Sequence, residues 1–241
     1  MASTSTPLHL FENGADHWVD SAAWPPTTTA RTYYLAAGST LGPDKPRTAG
    51  HDTLAWAPAG PTSTLTYTTP ALTRPAVLDG PTDITLYARS TTRDAELTAT
   101  LNIVAPDGTV TKQADGVLLG SQRRLDTRQS WYGQGDTLLQ PSHPFTQESR
   151  RPVIPGQLTR YDISLLANFT QIPAGYKVQV VVNSRPPAGF HVQLAPTPEQ
   201  LAELAGGSYT IEYSSPAASR VNLPLTQKAF ATSPADWGPT S

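Results

Sequence analysis

An all-β fold, a two-sheet sandwich or jelly roll with one short helix near residues 198–205, follows from three features of this 241-residue chain. Apolar residues recur at every second position in several separate stretches, the period of half-buried strands. Twenty-four prolines and 17 glycines interrupt those stretches, as turns between short strands require. Only one segment carries paired helix start and stop signals. The length suits one large all-β domain with a sizeable core.

Taken in order, residues 1–6 read as a flexible polar leader. PLHLFENG (7–14) is a first short strand closed by Asn-Gly, and RTYYLAAG (31–38) a second closed by Gly38. Residues 39–62 are rich in Gly and Pro and read as loop. STLTYTTP (63–70) alternates Leu65 and Tyr67 with polar neighbours. In TDITLYARS (82–90), Ile84, Leu86 and Ala88 face one way and Thr85, Tyr87 and Arg89 the other. In the stretch 95–120, Leu97, Ala99, Leu101 and Ile103 alternate with threonines and Asn102. Ala105-Pro106-Asp107-Gly108 then makes a hairpin turn, in which Pro106 presets φ and Gly108 tolerates φ > 0.

Residues 121–156 form a long irregular stretch carrying Arg123, Arg124, Arg128, Arg150 and Arg151. Strands follow at 157–169 and 176–184, the second with Tyr176, Val178, Val180 and Val182 on one face. In PTPEQLAELAGG (196–207), Thr197 is the N-cap, Pro198 takes the first helical position, Leu201 and Leu204 form an apolar pair, and Gly206 stops the helix. Strands at 207–215 and 220–226 close the fold, and 227–241 reads as a flexible tail. The result is about ten short strands in a single jelly-roll domain over residues 7–226. The predicted inward residues are Ile84, Leu86, Leu97, Leu101, Ile103, Ile163, Leu165, Val178, Val180, Tyr209 and Ile211.

Charge and motifs narrow the function. With 17 basic and 19 acidic residues the formal net charge is −2, which points to neither nucleic acid nor an anionic membrane surface as partner. The absence of cysteine removes disulfides, zinc–thiolate sites and thiol chemistry. No apolar run reaches the length of a membrane span, and the N-terminus has no basic region followed by an apolar one, so it does not read as a signal peptide. There is no Gly-x-Ser-x-Gly elbow, His-Glu-x-x-His, P-loop, EF-hand or Gly-x-Gly-x-x-Gly, and no cofactor or metal is implied. His9, His17, His51, His143 and His191 are not at metal-ligand spacings and read as surface or loop residues. The His51-Asp52 pair points to opposite faces of an extended strand. The arginines of 121–156 read as a solvated face or interface ahead of a phosphate or carboxylate site. Asn168-Phe169-Thr170 fits the glycosylation tripeptide, a weak signal. Trp18, Trp24, Trp56, Trp131 and Tyr132 remain as candidates for a ligand or domain interface, with core anchoring the plainer alternative.

The order of segments resembles the C-terminal non-catalytic domain of the Xaa-Pro dipeptidyl-peptidase family, which includes the cocaine-esterase-like acyl hydrolases. The resemblance runs from about Leu8 to Leu225. It rests on LFENGADHWVDSAAWPP, on YYLAAGSTL, on DAELTATLNIVAPDG, and most specifically on the stretch from His143 to Pro187 with its Pro-Gly turn and aliphatic strand. Gly175-Tyr176-Lys177 departs from the family's frequent Gly-His-Arg. The resemblance implies a jelly roll similar to galactose-binding modules, packed on an α/β-hydrolase domain that carries the catalytic triad. No catalytic residue can therefore be carried over to this chain. The implied partner is that hydrolase domain, in the same polypeptide or from an adjacent gene. Trp18 and Trp24 would pin the segment leading into the sandwich. Trp56, and Trp131 with Tyr132, would be loop aromatics at the seam, leaving the isolated chain prone to weak self-association. The alternative is a free-standing carbohydrate- or ligand-binding module on the same fold.

Overall fold

The computed structural model describes residues 8–27, 30–190 and 197–233. The predicted leader 1–6, His191 and the end of the tail (234–241) lie outside the described residues, which contain sixteen strands and one α-helix. An N-terminal hairpin, β1 (Leu8–Glu12) and β2 (His17–Ser21), precedes β3 (Arg31–Ala36), β4 (Thr40–Gly42), β5 (His51–Ala55) and β6 (Thr64–Thr68). Then come β7 (Ala76–Ser90), β8 (Glu96–Val104), β9 (Val110–Leu119) and the two short strands β10 (Trp131–Tyr132) and β11 (Leu138–Gln140). The chain closes with β12 (Thr159–Ile172), β13 (Lys177–Asn183), α1 (Pro198–Leu204), β14 (Ser208–Glu212), β15 (Arg220–Leu223) and β16 (Leu225–Thr226).

β7 is the spine. It pairs antiparallel with β12 along one edge, and with β14, β15 and β16 in succession along the other. β5 extends this half beyond β14, and β3 and β4 extend it beyond β15. The other half runs β6, β13, β8, β9. One parallel bridge, Thr40 to Thr68, joins the halves through β4 and β6. At the opposite side β9 meets β12 so closely that a Cβ on Gly116 would lie 2.0 Å from the Ser164 carbonyl oxygen. The two halves enclose one apolar core, an all-β sandwich. All eleven predicted inward residues are buried in it.

The Ala105–Gly108 turn forms as predicted. The Gly108 N–H donates to the Ala105 carbonyl at 2.9 Å, Asp107 Oδ1 accepts from the Thr109 N–H, and Gly108 sits at φ +89°. Helix α1 opens on a capping box: Thr197 Oγ1 accepts from the Gln200 N–H, and Gln200 Oε1 accepts from the Thr197 N–H. Of the predicted leucine pair only Leu204 is buried, because Leu201 lies on the solvent side.

Three readings are corrected. The stretch 39–62 holds β4 and β5, strands too short for a period to show between their glycines and prolines. β7 begins at Ala76, not 82, running straight through Gly80-Pro81. Proline lacks a ladder donor, and the partner strand answers with a bulge: two residues, Leu166 and Ala167, stand opposite Pro81. Finally, the first part of the tail is packed. The Phe230 ring meets Phe169 at 5.1 Å, and the Ser233 N–H donates to the Trp18 carbonyl at 2.7 Å.

Leu101→Ala, at a fully buried position, should lower unfolding free energy by about 2–5 kcal/mol. Gly116→Ala should cost roughly 1–3 kcal/mol by driving β9 off β12. Gly42→Ala, where a Cβ meets nothing within 4 Å, should stay close to wild type. Urea denaturation of the three variants checks this ordering.

Candidate functional site

The alternation read in β7 places Asp83, Thr85 and Tyr87 on the face away from the apolar core. That face is not solvated. Asp83 and Thr85 are fully buried, because the 121–156 insert folds over them with Leu138 and Leu139 inward. A polar chain crosses four strands beneath it. Thr32 Oγ1 donates to Asn222 Oδ1 at 2.8 Å, and Asn222 Nδ2 donates to Asp83 Oδ2 and to the Leu138 carbonyl of the insert, both at 3.1 Å. Thr85 Oγ1 lies 3.0 Å from both Asp83 Oδ2 and Asp162 Oδ1. Arg160 closes the chain on Asp162 at 2.8 Å.

A hydroxyl has one proton and cannot donate to two carboxylates. Burial, reinforced by the neighbouring Asp162, pushes the Asp83 carboxyl well above its usual range. A proton on Asp83 lets it donate to Thr85, which then donates to Asp162, while Asp83 Oδ1 stays buried without a hydrogen-bond partner among the described residues. The insert is seated on this chain and also on His143, which is buried, contrary to the surface reading. Its imidazole sits between the carbonyls of Arg124 (3.1 Å) and Asp162 (2.8 Å).

Seated this way, the insert forms one wall of a cleft of about 420 Å³, with β9 and the β12 bulge as the other. Trp131 (46% exposed), Phe145 (60%) and Leu166 (54%) rim it. Leu166 follows the inward Leu165 at the edge of the bulge and faces outward by the strand's own alternation. Phe145 is held at φ +51°, a conformation unfavourable for a residue with a side chain, with its ring against His143 at 5.6 Å. Gln129, Gln140, Ser142 and Ser164 supply polar lining. Among the described residues no group of three or more His, Asp or Glu is arranged to hold a metal ion.

The predicted aromatics do not converge. Trp131 faces the cleft, while Tyr132, its neighbour on β10, lines a separate depression with Arg160 and Arg220. Trp56 is corrected from a seam residue to a core residue: it is 5% exposed and donates Nε1–H to Glu96 at 2.9 Å. Trp24 does pin the segment after β2, edge-on to Phe169 at 6.3 Å, with Pro25 packed over Gly80. Trp18 does not, because it pairs with Phe11 at 5.3 Å on the other face of the hairpin from Val19. Asp52 accepts from the Tyr67 hydroxyl at 2.7 Å and makes no pair with His51. Phe145 and Leu166 were not singled out in the sequence. A loop phenylalanine carries no periodic signal, and an outward leucine on a strand draws no attention until its neighbours across the cleft are known.

The fold is an all-β sandwich whose long insert displays exposed apolar side chains. Residues 2–222 match the X-Pro dipeptidyl-peptidase C-terminal non-catalytic domain, and the chain belongs to that family. It is 26% identical over 250 residues to a predicted serine esterase of Mycobacterium bovis, covering 92% of this chain and 37% of that protein. It is 25% identical over 213 residues to the cocaine esterase of a Rhodococcus species, covering 73% of this chain and 33% of that one. In fold it is similar to a CocE/NonD family hydrolase of Staphylococcus aureus, with TM-score 0.72 and 18% identity over 90% of this chain and 40% of that one. It is likewise similar to an α-amino acid ester hydrolase, with TM-score 0.69 and 19% identity over 91% and 41%. The chain thus spans well under half the length of each of these proteins.

Where Trp24 and Pro25 pin the lead-in segment, Asp79 is buried beside Phe169, its cross-strand partner. Burial raises its carboxyl to about 6, against the opposing pull of Thr27 and Lys228. Below about pH 4 the acid is protonated folded or unfolded and costs nothing. As pH rises the unfolded chain ionises first, so stability falls between pH 4 and 6 and then levels. From 3.8 to about 6 the loss is on the order of 2–3 kcal/mol. Asp79→Asn should remove that part of the pH dependence, measured by denaturation at successive pH values. Equal slopes in the variant and the parent would contradict it.

Proposed function

We propose that this chain serves as the non-catalytic β-sandwich of a serine hydrolase, covering an α/β-hydrolase domain through the cleft rimmed by Trp131, Phe145 and Leu166. The observation that carries the reading is Phe145. Its backbone is held in the left-handed region while its ring stands in solvent. Such strain persists where the surroundings enforce it, and it concentrates at functional surfaces. The neighbouring apolar side chains make the patch contiguous, the kind of exposed surface that marks an interaction site. The length of the relatives supports a second domain, and two of them, a serine esterase and a cocaine esterase, supply the esterase chemistry. We take the sandwich together with its packed tail, through Ser233, as the unit that docks. Trp18 and Phe11, outward on the hairpin nearest the N-terminus, form a second contact to the same partner. Substrate preference belongs to the catalytic domain.

Two outcomes follow for the isolated chain. It should turn over neither a Gly-Pro anilide nor an aryl ester. Turnover that survives purification and disappears on replacing one serine of this chain would refute the assignment. It should also self-associate weakly and bind an apolar fluorescent dye. A domain seam within one chain covers roughly 600–1,500 Å², so losing two central rings in Trp131→Ser/Phe145→Ser should reduce both effects at least about twofold. Trp56→Ser should unfold the chain instead. A strictly monomeric, dye-silent chain whose Trp131 governs polysaccharide affinity would establish the binding-module alternative.

A further inference from the structure

Around the corner from the apolar cleft, the insert and the start of β12 enclose a second, open cleft of about 660 Å³. Four arginines line it: Arg123, Arg124, Arg151 and Arg160. The one acid on its wall is Asp162, already engaged by Arg160 at 2.8 Å. Arg123 is fixed by backbone carbonyls, those of Gly120 at 2.8 Å, Arg151 and Pro152. Arg151 is fixed in the same way by the carbonyls of Glu148 (3.0 Å) and Arg150 (2.8 Å). Carbonyls orient a guanidinium without cancelling its charge. The Arg124 guanidinium has no hydrogen-bond or ion-pair partner among the described residues.

The positive surface continues past Arg160. The adjoining depression of about 330 Å³ shares Leu125 and Arg160 and adds Arg220, with Asp136 as the one acid on its wall; the Arg220 guanidinium stands over the Tyr87 ring at 5.9 Å. In a chain of net charge −2, this concentration of one sign is local. A concave wall of like charges raises the potential inside it. Guanidinia held at fixed angles meet oxyanions through paired hydrogen bonds. Placing them together without an anion costs repulsion that Asp162, the one acid on this wall, offsets only at Arg160.

We propose that this cleft is a binding site for a small multivalent oxyanion, a phosphate ester or a polycarboxylate, with Arg124 and Arg151 as the residues that close on it. The site is distinct from the apolar cleft and does not depend on the hydrolase reading. A ligand there would tie the 121–126 and 150–152 ends of the insert to β12.

Isothermal titration of the whole chain at constant ionic strength, in a phosphate-free buffer, tests it with pyrophosphate and with citrate. Saturable binding is expected for at least one of the two, and which one distinguishes phosphate from carboxylate recognition. Arg124→Ser should weaken it about tenfold or more, the scale of a charged hydrogen bond, and Arg124→Glu should abolish it. Arg74→Ser, an exposed arginine elsewhere, should leave affinity within about twofold. Because the Arg124 side chain supports nothing in the fold, these variants should keep the parent unfolding midpoint. Absence of saturable binding of either anion at millimolar concentration would overturn the proposal, as would Arg124→Glu binding like the parent.

Discussion

Everything on the functional side of this molecule depends on β7 being covered on both faces. Its apolar face fills the sandwich core, as half-buried strands do. Its polar face, Asp83-x-Thr85, is withdrawn from water as well, and buried carboxyls are costly unless each finds a partner. Burial beside Asp162 pushes the Asp83 carboxyl up towards its neutral form, Thr85 bridges the two acids, and the charge on Asp162 is met by Arg160. The 121–156 insert is held against this face through the Asn222 bond to the Leu138 carbonyl and through His143, which reaches the carbonyl of Asp162 itself. A loop of that length owes its position to buried polar bonds, because it has only two short strands of its own.

The surface follows from how the insert is seated. Trp131 and Phe145 lie on the side of the insert that meets the β12 bulge, and the bulge exists because Pro81 interrupts the ladder of β7. The arginines lie at the insert's two ends, where it leaves β9 and rejoins β12. One long loop thus carries an apolar rim and a basic cleft on different sides. Under the proposed function the apolar rim faces a hydrolase domain. The basic cleft has no such explanation in an accessory role, which is why it is assigned a ligand of its own.

How much of this the sequence shows depends on whether a feature is periodic. The core was legible: Leu97 through Ile103, Val178 through Val182 and Tyr209 with Ile211 alternate because one face is dry, and all are buried. The capping box at Thr197 and the turn at Asp107-Gly108 were legible because they rest on local side-chain chemistry. β4 and β5 were not, being too short for a period to register. The start of β7 was hidden by Gly80-Pro81, which spell a turn everywhere except opposite a bulge. The polar face of β7 was read correctly as facing away from the core, but not as buried, since burial there comes from a segment some fifty residues downstream whose composition reads as loop. Of the site aromatics, Trp131 and Tyr132 were recognised as exposed. Trp56 was misplaced because its proline-rich surroundings say loop, whereas its indole N–H has a buried acceptor in Glu96.

The dependence of the insert on the polar face can be measured directly by amide hydrogen exchange in Thr85→Val, which keeps the side chain's shape and removes the hydroxyl shared by Asp83 and Asp162. If the insert is seated on that chain of bonds, exchange should accelerate in 126–143 while the amides of β8 and β13, across the core, stay as protected as in the parent. Unchanged protection of the insert, or a uniform loss over the whole sandwich, would show that the cleft is held by something other than the buried polar face of β7.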